Sequence, residues 1–413
     1  MAEERVGLVL SGGGARGAYE VGALSVLLPA LEARGQRPTV LVGTSVGAIN
    51  VAYLAANADL AAGDAVAGAI ELWRSLRWEQ VLGPLLAPST ALRGLSYFGE
   101  VLGVPGASVT GLLNTAPLRK TVRRVIDFER LHRNIGAGLL DATAIVGTSA
   151  ASTRSVVFVE GQPVPSDDIG QGIDYVATRL DGEHIRASAA IPALFPAVHV
   201  SGPSRARGWY VDGGVRLNAP LRPALSLEVD RVVVIGLNAI SPSPSRLASD
   251  DRPDAFQGAA DFLDGTFVNQ LVEDVRDLAR VNLLLGDRSD VIATDGWRYR
   301  QIPYILITPQ AGEDIAGLAE RIFGEHYEGL EALGSVDLAL FVRLMGGASR
   351  HGALLSYLFF APEFATALIE LGRADAQRWL TAHAGREGPW QLSGRAPQLP
   401  VSHRRCPRMT ESS

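Results

Sequence analysis

The stretch Leu41-Val-Gly-Thr-Ser45-Val-Gly47-Ala-Ile-Asn50 decides how the chain is read. A short apolar strand, Val40 to Val42, runs into Gly43-Thr44-Ser45-Val46-Gly47, and a helix-like run, Ala48 to Ala56, follows. Gly-x-Ser-x-Gly between a strand and a helix is the nucleophile-elbow pattern. Its glycines suit a turn too tight for side chains, which lifts the serine hydroxyl clear of the sheet. The helix N-terminus behind it favours negative charge. An ordinary glycine-rich turn with an exposed serine fits the same five residues, so the pentapeptide alone leaves both readings open.

Upstream, Val6 to Leu10 is apolar throughout, as a central parallel strand tends to be. It leads into Ser11-Gly-Gly-Gly-Ala-Arg-Gly17. A helix pattern follows, with Tyr19, Ala23, Val26, Leu27 and Leu31 near helical spacing, Pro29 bending its last turn and Gly35 stopping it. Strand, helix, strand, helix at this spacing implies βαβ units and a parallel sheet. Gly12 to Gly17 also matches the Gly-x-Gly-x-x-Gly dinucleotide fingerprint. That reading needs an acidic residue near the end of the second strand, where Gly43-Thr44-Ser45 stands instead and Glu32 lies in the helix. A different use fits better: successive amides of Gly12, Gly13 and Gly14 at a helix N-terminus form a concave anion site of the kind acyl transfer needs for its oxyanion. Arg16 either adds charge there or braces the loop, and the brace is the preferred role for its side chain.

The bulk numbers bound the class. The chain has 413 residues, 47% hydrophobic and 20% charged, which is a globular composition with room for two or three structural units. A net charge of −6 argues against a nucleic-acid binder and a polybasic membrane anchor. Lys120 is the only lysine, and Cys406 the only cysteine, so there is no internal disulfide framework. No basic n-region with a long apolar h-region opens the sequence, and no apolar run approaches the ~18 residues of a spanning helix. The expectation is a soluble, cytoplasmic protein without a signal peptide.

Residues 64–78 read as an amphipathic helix, with Val66, Ile70, Trp73 and Leu76 on one stripe. Residues 83–113, rich in Gly, Pro, Ser and Leu, look like an irregular insertion or lid. Thr115 is expected to cap a helix from Ala116 to about Arg130. Leu139–Thr148 and Ser155–Glu160 read as two strands and Ile173–Leu180 as mixed. Ile185 to Pro192 reads as a tightly packed helix ending at the proline, and Val198–Val200 with Trp209–Val211 as a hairpin. That hairpin delivers Asp212-Gly213-Gly214, which alone would pass for a turn. Val232–Gly236 is a buried strand, 239–256 a mobile loop, Phe262–Leu285 a long helix and Tyr304–Thr308 a last strand. Residues 311–384 have helical composition, and 385–413 the composition of a disordered tail.

Three pieces now stand together: the glycine loop after the first strand, Gly43-Thr-Ser45-Val-Gly47 after the second, and Asp212-Gly213-Gly214. With Ala187-Ser-Ala-Ala-Ile-Pro192-Ala-Leu-Phe-Pro196 before the aspartate and Asn218-Ala-Pro220 after it, the chain resembles the patatin-like phospholipase family over about residues 5–310. The resemblance implies an α/β three-layer sandwich around a mainly parallel sheet, with a helical C-terminal extension. It also implies a serine lipid acyl hydrolase with a Ser–Asp dyad. Carried over by motif, Ser45 is the nucleophile and Asp212 the proton acceptor. Gly12, Gly13 and Gly14, with amides up to Arg16, form the oxyanion hole, and Gly17, Gly43, Gly47, Gly213 and Gly214 support the turns.

No cofactor and no metal is expected, since no His/Asp/Glu cluster has ligand spacing. None of the seven histidines sits in a catalytic motif, and His199, near Asp212 in sequence, is the one kept in view. The implied partner is a lipid ester presented by a membrane or micelle surface, with peripheral contact. A non-catalytic lipid- or protein-binding scaffold on the same fold is the alternative, and a dinucleotide-binding oxidoreductase the third reading.

Overall fold

The computed structural model describes residues 4–84, 111–239, 271, 273–286, 288, 290–292, 298–310, 315–327, 336–344, 352–385 and 388–392. Most of the expected lid (83–113), nearly all of the 239–256 loop and the start of the Phe262–Leu285 helix lie outside these residues.

Strands β1 (Val6–Leu10), β2 (Val40–Thr44), β3 (Ala142–Ser149), β4 (Ser155–Gly161), β5 (Ile173–Ala177), β6 (Val198–Val200), β7 (Gly208–Asp212), β8 (Arg231–Ile235) and β11 (Tyr304–Ile307) form one sheet; β9 (Asp290–Ile292) and β10 (Arg298–Arg300) pair apart from it. The order along the main sheet is β11-β8-β1-β2-β3-β4-β5, with β7 on β3 and β6 on β7. From β11 to β3 the strands are parallel. β4 and β7 run antiparallel to β3. Both faces are buried, which is why these strands read as continuous apolar runs. Leu8, Leu10, Leu41, Val233 and Ile235 pack into one core, and Val9, Val40, Val42, Val232 and Val234 into the other. The mostly parallel sheet with helices on both faces is the three-layer α/β architecture expected.

One helical layer holds α1 (Gly17–Glu32), α2 (Val46–Ala56), α3 (Ala62–Ser75), α4 (Ala116–Val125), α5 (Phe128–Gly136), α6 (Gly182–Ser188) and, from the far end of the chain, α7 (Gly352–Leu358) and α8 (Pro362–Ala382). α8 is continuous with this core. A Cβ on Gly22 would sit 2.1 Å from the Ile369 carbonyl oxygen, and one on Gly372 2.1 Å from that of Tyr19. The two backbones therefore touch where only glycine permits it. Tyr19 Oη donates to Asp375 Oδ2 (2.7 Å) across the same contact.

Several boundaries differ from the sequence reading. The helix expected from Ala116 to Arg130 is two helices, because Asp127 starts a new one by accepting the Arg130 amide (3.0 Å). Thr115 makes no side-chain cap; Asn114 Oδ1 takes the Ala116 amide instead (3.1 Å). The mixed segment at 173 is the strand β5. α6 stops at Ser188, short of Pro192, because the next carbonyls are spent elsewhere: Ala190 O accepts from Asp212 N (2.9 Å) and Ser188 O from Gly213 N (3.3 Å). Residues 388–392, assigned to the tail, pack on the body. Gln391 bridges Tyr304 at the sheet edge, and buried Trp390 donates to Gln36 Oε1 (2.8 Å). An apolar ring beside an open edge strand outweighs the polar composition around it.

Candidate active site

β1 lies between β2 and β8, so the chain departs from it to opposite sides, and the strand ends there open a crevice of the kind that binds ligands in α/β sheets. Leu10 pairs with Gly43 and with Ile235, which puts the glycine loop and the Ser45 turn at one edge. Thr44 pairs with Val146 and Gly147 with Asp212, which brings the β7 end to the same place. Register alone thus converges three segments far apart in sequence.

Ser45 sits at φ 55°, ψ −119°, outside the comfortable regions for a residue with a side chain. The turn holds because Gly43 and Gly47 let backbones close: a Cβ on Gly43 would lie 2.4 Å from Gly47 O, and one on Gly47 2.4 Å from Leu10 O. Ser45 Oγ donates to Asp212 Oδ2 at 2.6 Å. Asp212 is buried, its Oδ1 accepts the Gly214 amide (2.7 Å), and its carbonyl accepts from Thr148 Oγ1 (3.0 Å). Burial raises its pKa to about 7, against the hydrogen bonds from Ser45 and Gly214, which lower it. Gly213 lies so close to Val146 O that a Cβ would be 2.4 Å away.

The glycine loop runs beside Ser45. A Cβ on Gly12 would be 3.0 Å from Ser45 Cβ. The Gly12 amide is spent on Asn218 O (3.1 Å) and the Arg16 amide on Gly13 O (3.2 Å). The amides of Gly13 and Gly14 have no acceptor among the described residues. Gly14 takes φ +58°, and its Cα faces the Tyr357 carbonyl. The Arg16 side chain is held by α7 and Asn238. Nε donates to Ser356 Oγ (2.8 Å), Nη1 to Asn238 Oδ1 (2.5 Å) and Nη2 to Ala353 O (3.3 Å), with the guanidinium 3.9 Å over the Tyr357 ring. It braces the loop against α7. Gly17 packs on Val46 and Trp73.

Two contributors were not singled out from sequence. Ser188 Oγ accepts the Ser45 amide (2.8 Å) and donates to Val146 O (2.5 Å), so it holds the backbone of the turn. α7 supplies Tyr357 and Leu358 to an apolar pocket that Ser45 also lines, about 710 Å³ with open solvent included. Ile49, Trp73, Leu118, Val122 and Phe195 add further wall. No motif marks either contributor, although Ser188 falls inside the Ala187–Pro196 stretch. His199 is exposed and pairs edge-on with Trp209, not with Asp212. Among the described residues no group of three His, Cys, Asp or Glu side chains could hold a metal. Among them, too, no single helix is long and apolar enough to cross a membrane; α7 and α8 pass only as a pair bent by 98°.

The patatin-like phospholipase family model matches residues 8–225, more than half of the chain. The chain belongs to the patatin-like phospholipase family, and with it to the hydrolases of carboxylic esters. No curated protein matches it in sequence. Among solved structures it is similar to VipD from Legionella pneumophila (13% identity, 92% of this chain and 67% of that one, TM-score 0.33). It is also similar to human GIVD cytosolic phospholipase A2 (12%, 91% and 60%, TM-score 0.35) and to the ExoU–SpcU complex of the Pseudomonas aeruginosa type III secretion system (16%, 94% and 73%, TM-score 0.24). It thus spans about three fifths of the human enzyme's length.

Proposed function

We propose that the protein hydrolyses acyl esters of lipids through Ser45 and Asp212, without a metal. The observation that carries this reading is the 2.6 Å hydrogen bond from a strained-turn serine to a buried carboxylate at the edge of an apolar pocket. Asp212 takes the hydroxyl proton as Ser45 attacks the ester carbonyl and hands it to the leaving alcohol oxygen as the acyl-enzyme forms. Water then gives a proton to the same carboxylate as it attacks the acyl carbon, and the fatty acid leaves as Ser45 Oγ takes that proton back. A carboxylate with a pKa near 7 is a far better base at neutral pH than an ordinary aspartate. The Gly13 and Gly14 amides are the oxyanion donors; Gly12 and Arg16 act by shaping and bracing the loop. The apolar wall of the pocket accepts an acyl chain, and an acyl chain lying there would displace water and strengthen such donors.

Labelling with a fluorophosphonate probe, alongside hydrolysis of a short-chain chromogenic ester, tests the reading. Labelling and turnover are lost in folded Ser45→Ala. Labelling that persists there sinks the nucleophile assignment. A folded wild type that neither labels nor turns over, with vesicles present, favours the lipid-binding scaffold.

A further inference from the structure

α4 has two opposed faces. Leu118, Thr121, Val122 and Val125 line the pocket beside Ser45. Arg119, Lys120, Arg123 and Arg124 are all exposed on the other side. No carboxylate pairs with any of the four among the described residues. Arg186, half-buried on α6, adds a fifth cation. Arg119 and Arg123 lie close enough to join burial in lowering its pKa, and its Nε donates only to the Gly182 carbonyl (3.2 Å). The Arg123 side chain passes beside Gly182, which places it over the start of α6. Of the nearby acids, Asp127 caps α5, Glu183 accepts the Ser201 amide and Asp181 pairs with His184, and the charges of Glu183 and Asp181 act on Arg186 against those of Arg119 and Arg123. Arg119 with Arg123 and Lys120 with Arg124 are like-charge pairs four residues apart, each costing a helix a few tenths of a kcal/mol. Arg123 and Arg124 recover some of that at the helix C-terminus. The fold itself has little use for this face.

We infer that the outer face of α4, with Arg186 beside it, is where the protein docks on anionic lipid headgroups of a bilayer. The inference rests on the lipid-ester reading of the pocket. A helix with its side chains is about 10–12 Å thick, and the headgroup region of a leaflet about 5–8 Å. The pocket lies on the far side of this helix, so cations seated on headgroup phosphates hold the pocket wall roughly 15–20 Å from the acyl chains, one helix thickness plus the headgroup layer. The net charge of −6 describes the whole chain and conceals this face. A soluble acidic polypeptide or a nucleic acid would also meet cations, but neither uses an apolar pocket on the inner side of the same helix.

Vesicle co-sedimentation of full-length Ser45→Ala, which cannot consume the lipid, tests docking apart from hydrolysis. Vesicles of phosphatidylcholine with 30 mol % phosphatidylglycerol are compared with phosphatidylcholine alone. Each cation near an anionic surface contributes roughly a fivefold factor, so with four of them the anionic vesicles are expected to bind on the order of 10³-fold more tightly. That preference collapses between low and 0.5 M salt, as the screening length falls to about 4 Å. Replacing Arg119, Lys120, Arg123 and Arg124 together by Glu brings binding down to the phosphatidylcholine level. Changing the three arginines to Lys, which keeps charge, retains it and shows that the loss is not misfolding. Equal binding to both vesicles, unchanged binding by the Glu variant, or tight binding to poly-aspartate or DNA without binding to anionic vesicles overturns the inference. Short-chain ester hydrolysis by the wild type would stand in each case, so failure here is separable from failure of the proposed function.

Discussion

Asp212 and Glu20 are both buried carboxyl groups near the pocket, and burial raises both pKa values. Their surroundings separate them. Asp212 faces a serine hydroxyl on a strained turn and one backbone amide. Glu20 accepts from Asn50 Nδ2 (2.7 Å), and Asn50 in turn accepts from Trp73 Nε1 (3.0 Å), a ring in the pocket wall. Asn50, with the backbone at Ser11, only partly opposes the effect of burial on Glu20, which stays well above the ordinary value. The first carboxyl meets a reactive hydroxyl and the second meets only amides. Under the proposed mechanism, then, burial alone does not make a base; the partner does.

The comparison breaks most visibly at Asp212. Asp212→Asn keeps the shape and can still accept the Gly214 amide, but its Nδ2 cannot accept the Ser45 proton, so turnover is expected to fall by about 10³–10⁴-fold. Steady-state kinetics on a soluble ester check it, and a fall under tenfold would remove Asp212 as the base. Gly14→Ala should cost about 10²-fold in kcat: its Cβ would meet the Tyr357 carbonyl at 2.1 Å at a positive φ, displacing the proposed oxyanion donors. Fluorophosphonate labelling rate against circular dichroism distinguishes this from global unfolding. The pH profile of the wild type should rise through about 7 and level off above it, because the base works ionised.

Stability runs the opposite way. The folded pKa of Asp212 exceeds the ordinary 3.8, so its contribution is full below that value and lost as pH rises through about 7. Asp212→Asn should therefore melt above the wild type at pH 8, with the gap narrowing toward pH 5. A gap that widens on acidification would contradict the assignment of a neutral buried acid. Smallest of all, Glu20→Gln should change turnover less than about threefold and leave the pH limb in place. A limb that moved with Glu20 would transfer the titration to it.

Much of this was legible from short segments. The loops at Gly12–Gly14, Ser45 and Asp212 announce themselves because tight turns demand glycine and chemistry demands particular side chains. The sheet was legible because strands buried on both faces must be apolar runs. What failed to show was generic in residue type and long in range. Ser188 is one serine among many until register brings it under the Ser45 amide. Arg16 could be assigned a bracing side chain, but its partner Ser356 stands 340 residues away. The break at Asp127 carried a local signal, an aspartate before a charged helix, that the apolar stripe of Ala116–Arg130 masked. Trp390 stood in a polar, proline-rich segment whose composition outvoted one aromatic ring.

The facing glycines of α1 and α8 also set a timetable for synthesis. Tyr19 and Asp375 are 356 residues apart, so at about 5–20 residues per second the ribosome finishes α1 roughly 20–70 s before its partner helix is made. During that interval the loop at Gly12–Gly14 lacks α7 as its backing and the pocket lacks the wall that α7 supplies. A nascent chain is accordingly an incomplete esterase, and competence arrives only when α7 and α8 leave the ribosome.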